Sequence, residues 1–528
     1  MTVRPVRVLL VGFQGQDNLG LRYLAGSISL AGHQIRIESF SSDAAPLISV
    51  ARRWLPDIVG FSLIFQYMTS DFKQVISALR SAGITAHFTI GGHYASFAPE
   101  TLLDLIPELD SVVRFEGERT LVELAAAIAQ KRSWHNVRGI AWRDQDGVHV
   151  TPNREDHLSL DALPWPERGD IDYRAQALPA ASMLASRGCP WQCSFCSIIG
   201  FYEGNGTRGR RRSDPFLVVD EIEYLVRDRG VRFILFQDDD FLAGGKDARD
   251  WAQTIALEIM RRGLEKRLRF KISCRSDEIR EDVLAPLIAA GLSYIYLGVE
   301  SGDPDDLKAL TKHITPDVHL RAGQILRRLE VNFDFGFMLL QPWSTISSVR
   351  NNLHFLREFC SDGYAAAGFC RTLPYVGTAL EKRMRAEGRL SGPALDADYR
   401  FLDSRLDIFW DFALVAFAGR NHGKDATWEL LRGLLFRARL DYPDIPYDPG
   451  FLTAARTLTA ASNELLLDVT EEGLDLIERE LILDAGDPNL ISLARFAREE
   501  NEQIRGFLNA LWNTHTRAAA AALSHQLP

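Results

Sequence analysis

Cysteine is scarce in this chain. There are six in 528 residues, and none precedes position 189. Sparse but clustered cysteine points to metal or redox chemistry rather than to a disulfide framework. Long apolar runs are missing too, and none reaches the ~18 residues of a membrane span. Positive charge is not in excess. The net charge is −10, which argues against non-specific nucleic-acid binding. The short run "RGRRRS" at Arg208–Ser213 reads as a solvated basic patch. There is no low-complexity tract and no internal repeat. No GxGxxG follows the first apolar segment, which argues against a dinucleotide. The N-terminal "MTVRPVRVLLVGFQGQDN" reads as a buried first strand rather than a leader, so a cytoplasmic protein is expected.

The length calls for two to four domains, and the 46% hydrophobic content is that of a globular chain. In the first ~135 residues, short apolar runs alternate with helical patterns. "VRVLLVG" (Val6–Gly12), "IRIESF", "DIVGFSL" (Asp57–Leu63), "AHFTIGG" (Ala86–Gly92) and "SVVRF" (Ser111–Phe115) are expected as strands of a parallel sheet with helices on both faces. Ligands of such sheets bind beyond the carboxyl ends of the strands. The candidates there are Gln14, Asn18 and Leu19 in the first loop, Ser62 and Leu63, then Gly91, Gly92 and His93, and finally Glu116 and Gly117. His93 reads first as a loop histidine held by hydrogen bonds, and only second as a ligand-binding residue. Residues 136–178 read as a connector, with a small hairpin turning at Asp144–Gly147 followed by an extended Pro-rich stretch.

"SRGCPWQCSFCSIIGF" (Ser186–Phe201) holds Cys189, Cys193 and Cys196 in eight residues. Thiolates bind iron and zinc well. Zinc needs a fourth ligand nearby, and Cys274, Cys360 and Cys370 are distant and sit in apolar segments, where buried inert thiols are expected. Three thiolates on a [4Fe–4S] cluster leave one iron open. The amino and carboxylate groups of S-adenosylmethionine (SAM) can chelate that iron.

Two resemblances agree with these readings. "GFS", "IGGHYAS" and "RFEGERTLVEL", within roughly residues 4–130, resemble the segments with which a cobalamin-binding domain encloses its cofactor. The Asp-x-His-x-x-Gly motif that supplies a cobalt ligand is absent, and "GQDNLG" stands near its place. The resemblance therefore implies cobalamin with no histidine of that loop on cobalt. Residues ~180–385 resemble the radical SAM family. The cysteine loop (with Phe195 before its last cysteine), "VRFILFQDDDF", "LRFKISCRSDEI", "LSYIYLGVESGDPDDLKALTKHI", "FDFGFMLLQPWST" and "GFCRTLPYVGTAL" match its successive strands. The resemblance implies a partial (β/α)6 barrel with its reacting groups at the strand exits. It also implies site roles. Glu300 would meet the SAM ribose. Arg275 and Ser301 would meet its carboxylate or ribose. Asp238, Asp239 and Asp240 would lie near its amino group, unless they serve only as a cap or turn.

The expected architecture is α/β throughout the first two domains. A doubly wound Rossmann-like cobalamin-binding domain spans 1–135, a connector 136–178, the radical SAM barrel 179–393 and a helical C-terminal domain 394–528. That last domain reads as a cap on the barrel, or as a lid if "FAGRNHGKDATW" reaches the site. The joint resemblance, to cobalamin-dependent radical SAM enzymes, implies methylation of an unactivated carbon or phosphorus by a 5′-deoxyadenosyl radical and methylcobalamin. The partners it implies are a small-molecule or peptide substrate and an external electron donor of flavodoxin or ferredoxin type. The rivals are ring formation or rearrangement with the same cofactors, a methylthiotransferase, which the cysteine-free N-terminus disfavours, and a non-catalytic sensor.

Overall fold

The computed structural model describes residues 4–14, 17–155, 159–176, 178–392, 397–423, 425–439, 449–479, 482 and 484–524. The expected boundary at 393–394 lies outside them. The chain divides into two compact units, 1–239 with 374–398, and 240–373 with 399–528.

The first unit opens with alternating strands and helices: β1 (Arg7–Gly12), α1 (Leu19–Leu30), β2 (Gln34–Ser39), α2 (Ala45–Trp54), β3 (Ile58–Ser62), α3 (Thr69–Ser81), β4 (His87–Gly91), α4 (His93–Phe97), α5 (Pro99–Leu105), β5 (Ser111–Val113) and α6 (Glu118–Ala129). The sheet runs β2-β1-β3-β4-β5 with parallel pairing. The apolar runs are buried on both faces. Leu9, Val11, Phe61 and Phe88 pack on one side, and Val8 and Leu10 pack against Ile28 and Leu124 on the other. The doubly wound sheet is therefore as expected. The hairpin of β6 (Ile140–Asp144) and β7 (Gly147–Val150) turns where expected, but it extends this sheet antiparallel to β5 instead of lying in a free connector. The strand order reverses direction between β1 and β3, which opens a crevice beyond their carboxyl ends.

Two barrel strands belong to the same unit. β8 (Ala180–Met183) pairs in parallel with β11 (Phe233–Phe236). Between them lie β9 (Ser186–Arg187), the cysteine loop, the helix α7 (Ile198–Glu203), and β10 (Arg211–Arg212), which is antiparallel to β9. The supposed basic patch is thus half built into the fold. Arg208 is solvated, whereas Arg210 and Arg211 turn inward onto acids.

In the second unit β12 (Arg269–Arg275), β13 (Leu292–Glu300), β14 (Asn332–Leu340) and the two-residue β15 (Cys370–Arg371) follow one another in parallel. Phe333, Phe335 and Phe337 of β14 meet Phe355 and Phe359 of the helix Ile346–Cys360, which covers one face. The C-terminal region is helical, as expected: Arg405–Ala416, Thr427–Ala438, Pro449–Arg479 and Pro488–Ser524. Cys274 and Cys360 are buried as expected, but Cys370 is exposed. β15 is only two residues long, and the Cys370 Sγ lies 3.6 Å from the Phe337 carbonyl.

Candidate functional site

In the first unit a cavity of about 840 Å³ opens at the carboxyl edge of the sheet. Asn18, Leu19, Ser62, Gly91, Gly92, His93, Glu116 and Gly117 all line it. Gln14 and Leu63 are not among its lining residues. The Asn18 side chain accepts from the Leu21 amide at 3.2 Å and caps α1, and its Nδ2 donates to the Phe13 carbonyl at 3.1 Å. Gln14 accepts from Arg22 at 3.1 Å, and its buried Nε2 has no hydrogen-bond partner among the described residues. Leu63 is fully buried. Asp17 fixes the same loop. One of its oxygens accepts from Arg168 (2.9 Å), Tyr173 (2.8 Å) and the Ser182 amide of β8 (3.1 Å). The stretch read as a connector therefore braces this site.

Missing side chains shape the crevice. Gly92 has φ +108°, and a Cβ there would lie 2.4 Å from the Leu63 carbonyl oxygen. Gly92→Ala is expected to cost about 1–3 kcal/mol from backbone strain and to weaken cobalamin uptake. Thermal denaturation and cobalamin absorbance of the reconstituted protein would check this. The His93 side chain makes no hydrogen bond among the described residues and opens the helix α4, so the hydrogen-bonded loop reading does not hold. Its ring stacks on Phe201 of α7 (4.1 Å, 7°), and burial lowers its pKa to about 4, which keeps it neutral.

The cysteine loop adjoins this crevice, since Arg187, Phe201, Tyr202 and Asp239 also line it. Cys189, Cys193, Phe195 and Cys196 are half-buried. Glu116 ties the two parts together. It accepts from Arg187 (2.8 Å), Arg211 (2.6 Å) and Asn205 (3.0 Å). Burial would raise its pKa, but the two guanidinium groups outweigh burial and hold it below the usual carboxylate range. Arg187 also pairs with Glu118 at 2.8 Å and lies over the Tyr23 ring. Asp238 and Asp239 support the same loop from beneath. Asp238 is buried and accepts from Ser186 and from the Ala185 amide, and burial raises its pKa. Asp239 accepts from the Gly188 amide at 2.8 Å.

The second unit holds the remaining candidates. Arg275 forks onto Asp277 (3.0 and 3.2 Å) and donates to the Lys312 carbonyl at 2.7 Å. Glu300 ends β13 at φ +71°, beside a register shift, with Lys312 Nζ 3.4 Å away. Strained backbone of this kind clusters at functional sites. The Ser301 hydroxyl is fully buried between Asp306 (3.1 Å) and Asn352 (2.9 Å). Asp240 belongs to this unit and shares a hydrogen bond with Glu278. Burial and that neighbour raise the Glu278 pKa to about 10.

A family model described as a B12 binding domain matches residues 8–125, and one described as the radical SAM superfamily matches residues 183–356. The chain belongs to the cobalamin-dependent radical SAM enzymes. An uncharacterized methyltransferase of Pyrococcus horikoshii is 28% identical over 377 residues, which cover 70% of this chain and 79% of that protein. The hopanoid C-3 methylase of Methylococcus capsulatus is 27% identical, with 69% and 67% covered. The anaerobic magnesium-protoporphyrin IX monomethyl ester cyclase of Cereibacter sphaeroides is 28% identical, with 60% and 52% covered. The solved structure of OxsB, a cobalamin-dependent SAM radical enzyme with aqua-cobalamin and SAM bound, superposes with a TM-score of 0.70. It is 16% identical, with 97% of this chain and 81% of that one covered.

The cofactors of this cobalamin-dependent radical SAM enzyme are accordingly a [4Fe–4S] cluster, SAM and cobalamin. The residues present fit them. The crevice is paved with glycine where a large planar ligand must approach backbone, and a buried amide of Gln14 meets no acceptor among the described residues. Among the described residues no three His, Cys, Asp or Glu side chains converge on a single metal ion. A cube spreads its thiolates over separate irons, so no such convergence is required. Among the described residues no helix is long and apolar enough to cross a membrane.

Proposed function

We propose that this enzyme methylates an unactivated carbon, or a phosphorus, of a small-molecule or peptide substrate. The observation that carries this reading is the shared wall. Side chains next to the cysteine loop and the carboxyl edge of the cobalamin-type sheet line one cavity. When bound, the cluster and SAM supply a 5′-deoxyadenosyl radical, and cobalamin supplies a transferable methyl group. Neighbouring sites let the two events meet one substrate without diffusion. In this reading Cys189, Cys193 and Cys196 hold the cluster, and Asp238 and Asp239 fix the loop that presents them. Gly91, Gly92, His93 and Gly117 make the bed for cobalamin with Asn18, Leu19 and Ser62, while Gln14, Leu63 and Glu116 shape its edges. Glu300 meets the SAM ribose, and Arg275 and Ser301 shape the backbone around it. An external donor of flavodoxin or ferredoxin type supplies the electron.

Turnover with methyl-labelled SAM tests the proposal. Label in the product, with 5′-deoxyadenosine and S-adenosylhomocysteine in comparable amounts, is the expected result. The cyclase relative favours one other reading, ring closure with the same cofactors. Deoxyadenosine without S-adenosylhomocysteine, and a product of unchanged carbon count, would select that reading. A preparation that binds the cofactors anaerobically but never cleaves SAM would instead be a sensor.

A further inference from the structure

The inner face of the second unit's sheet carries polar groups that the SAM-directed residues do not explain. Register identifies that face. Phe333, Phe335 and Phe337 turn toward the covering helix, so Asn332, Asp334 and Gly336 turn the other way. Pairing places Tyr294 beside Asn332, Tyr296 beside Asp334, Lys271 beside Tyr294, and Ser273 beside Tyr296. All of them therefore share one face. The helix Thr427–Ala438 reaches it from the C-terminal region. Arg432 donates to Asp334 at 2.6 Å through Nε, and Phe436 meets Tyr294 edge-on at 5.4 Å.

One cation on this face is left without an ion pair. Glu300 has Lys312, and Arg432 has both Asp334 and Glu429. Lys271 has no ion pair and no hydrogen bond among the described residues. Its ammonium lies 5.8 Å and 5.3 Å from the ring centroids of Tyr294 and Tyr296. Burial lowers its pKa, Asp334 opposes that shift, and Arg432 adds to it. The hydroxyls of Ser273 and Tyr296 likewise have no hydrogen-bond partner among the described residues. Gly336 leaves the room that the Tyr296 hydroxyl uses, since a Cβ there would lie 2.5 Å from it. A largely enclosed cation beside two uncommitted hydroxyls is a costly arrangement until an anion completes it.

We infer that Lys271, Ser273 and Tyr296 anchor an oxyanion of the substrate, a carboxylate or a phosphate, between the two tyrosine rings. Only the word "substrate" rests on the function proposed above; the anion site stands on the side chains themselves. Lys271 lies four residues before Arg275 on β12. At ~3.3 Å per residue the anchored group sits on the order of 10 Å from the strand exits. The ligand is therefore an acid or phosphoester whose reacting atom lies roughly that far from its anion.

Two probes test the site on the reconstituted holoenzyme, selenate for phosphate and 4-bromobenzoate for carboxylate. Both are titrated calorimetrically and soaked into crystals, where selenium and bromine are located by anomalous scattering. The expected result is binding of at least one probe, with its anomalous peak beside Lys271 Nζ. Affinity should fall at least tenfold in Lys271→Met, recover to within threefold of wild type in Lys271→Arg, and fall measurably in Tyr296→Phe. The probe that binds identifies the class of anion. Binding of neither probe, a peak elsewhere, or equal affinity in Lys271→Met would overturn the inference. SAM cleavage by the same preparations is scored separately. Its absence alongside a Lys271-dependent anion site would remove the proposed reaction and leave the site, whereas normal cleavage without that site would do the reverse.

Discussion

Cys193→Ala protein, reconstituted anaerobically with iron and sulfide, is expected to lack the brown [4Fe–4S] species and to form no detectable 5′-deoxyadenosine from SAM. The same holds for Cys189→Ala and Cys196→Ala. Each residue supplies one of only three thiolates in the loop, and a cube held by two would have no replacement close in sequence. The two buried thiols cannot stand in. Cys274 and Cys360 are buried, and both lie far along the chain. Burial above all pushes the Cys274 thiol well above its ordinary pKa, so it resists becoming the thiolate that iron needs. Cys274→Ala should therefore retain the cluster and SAM cleavage, which separates a ligand defect from a folding defect. Iron content, electron paramagnetic resonance of the reduced protein and chromatography of the SAM products are the measurements. Full SAM cleavage by Cys193→Ala would sink the assignment of the loop.

The parts legible in the sequence are those that local pattern encodes. Val8–Val11 and Phe88–Ile90 read as buried strands because every side chain in them is apolar, whichever face it meets. The cysteine loop was legible because thiol spacing is itself the chemical signal. Pairing over long sequence distance was not. Glu116 stands 71 residues from Arg187 and 95 from Arg211. Seen one at a time, these are a loop acid, a strand arginine and part of a basic run, and nothing local shows that they meet. The same blindness made Arg210 and Arg211 look solvated, and it hid the hold that Arg168 and Tyr173 have on Asp17. Cys370 reads as buried because its neighbours in sequence are apolar, and nothing local shows that the strand carrying it is only two residues long. Lys271 gave no signal at all. A lysine alternating with buried residues reads as an exposed strand position, and only the register with Tyr294 and Asn332 turns it inward.

Arg187→Met is expected to destabilise the first unit by about 3–5 kcal/mol, the usual cost of removing one partner from a buried ionic network. Arg187 is the common partner of Glu116 and Glu118 and also covers the Tyr23 ring, so its loss strands acids that have little access to water. Arg187→Lys should recover only part of this, because an ammonium cannot fork onto two carboxylates. The pH dependence has a definite sign. The folded pKa of Glu116 lies below its ordinary value, so its contribution is fully present above the ordinary carboxylate range and is lost as pH falls through the folded pKa. Without Arg187, burial acts on Glu116 with less opposition and its folded pKa rises. The stability gap between wild type and Arg187→Met should therefore be widest near neutrality and narrow on acidification, where a protonated Glu116 no longer needs the guanidinium. Urea denaturation at several pH values would measure it. A gap that stays constant from neutral to acidic pH would mean that Arg187 stabilises the loop by packing over Tyr23 rather than through charge, and the link between the cysteine loop and the cobalamin crevice would then not be electrostatic.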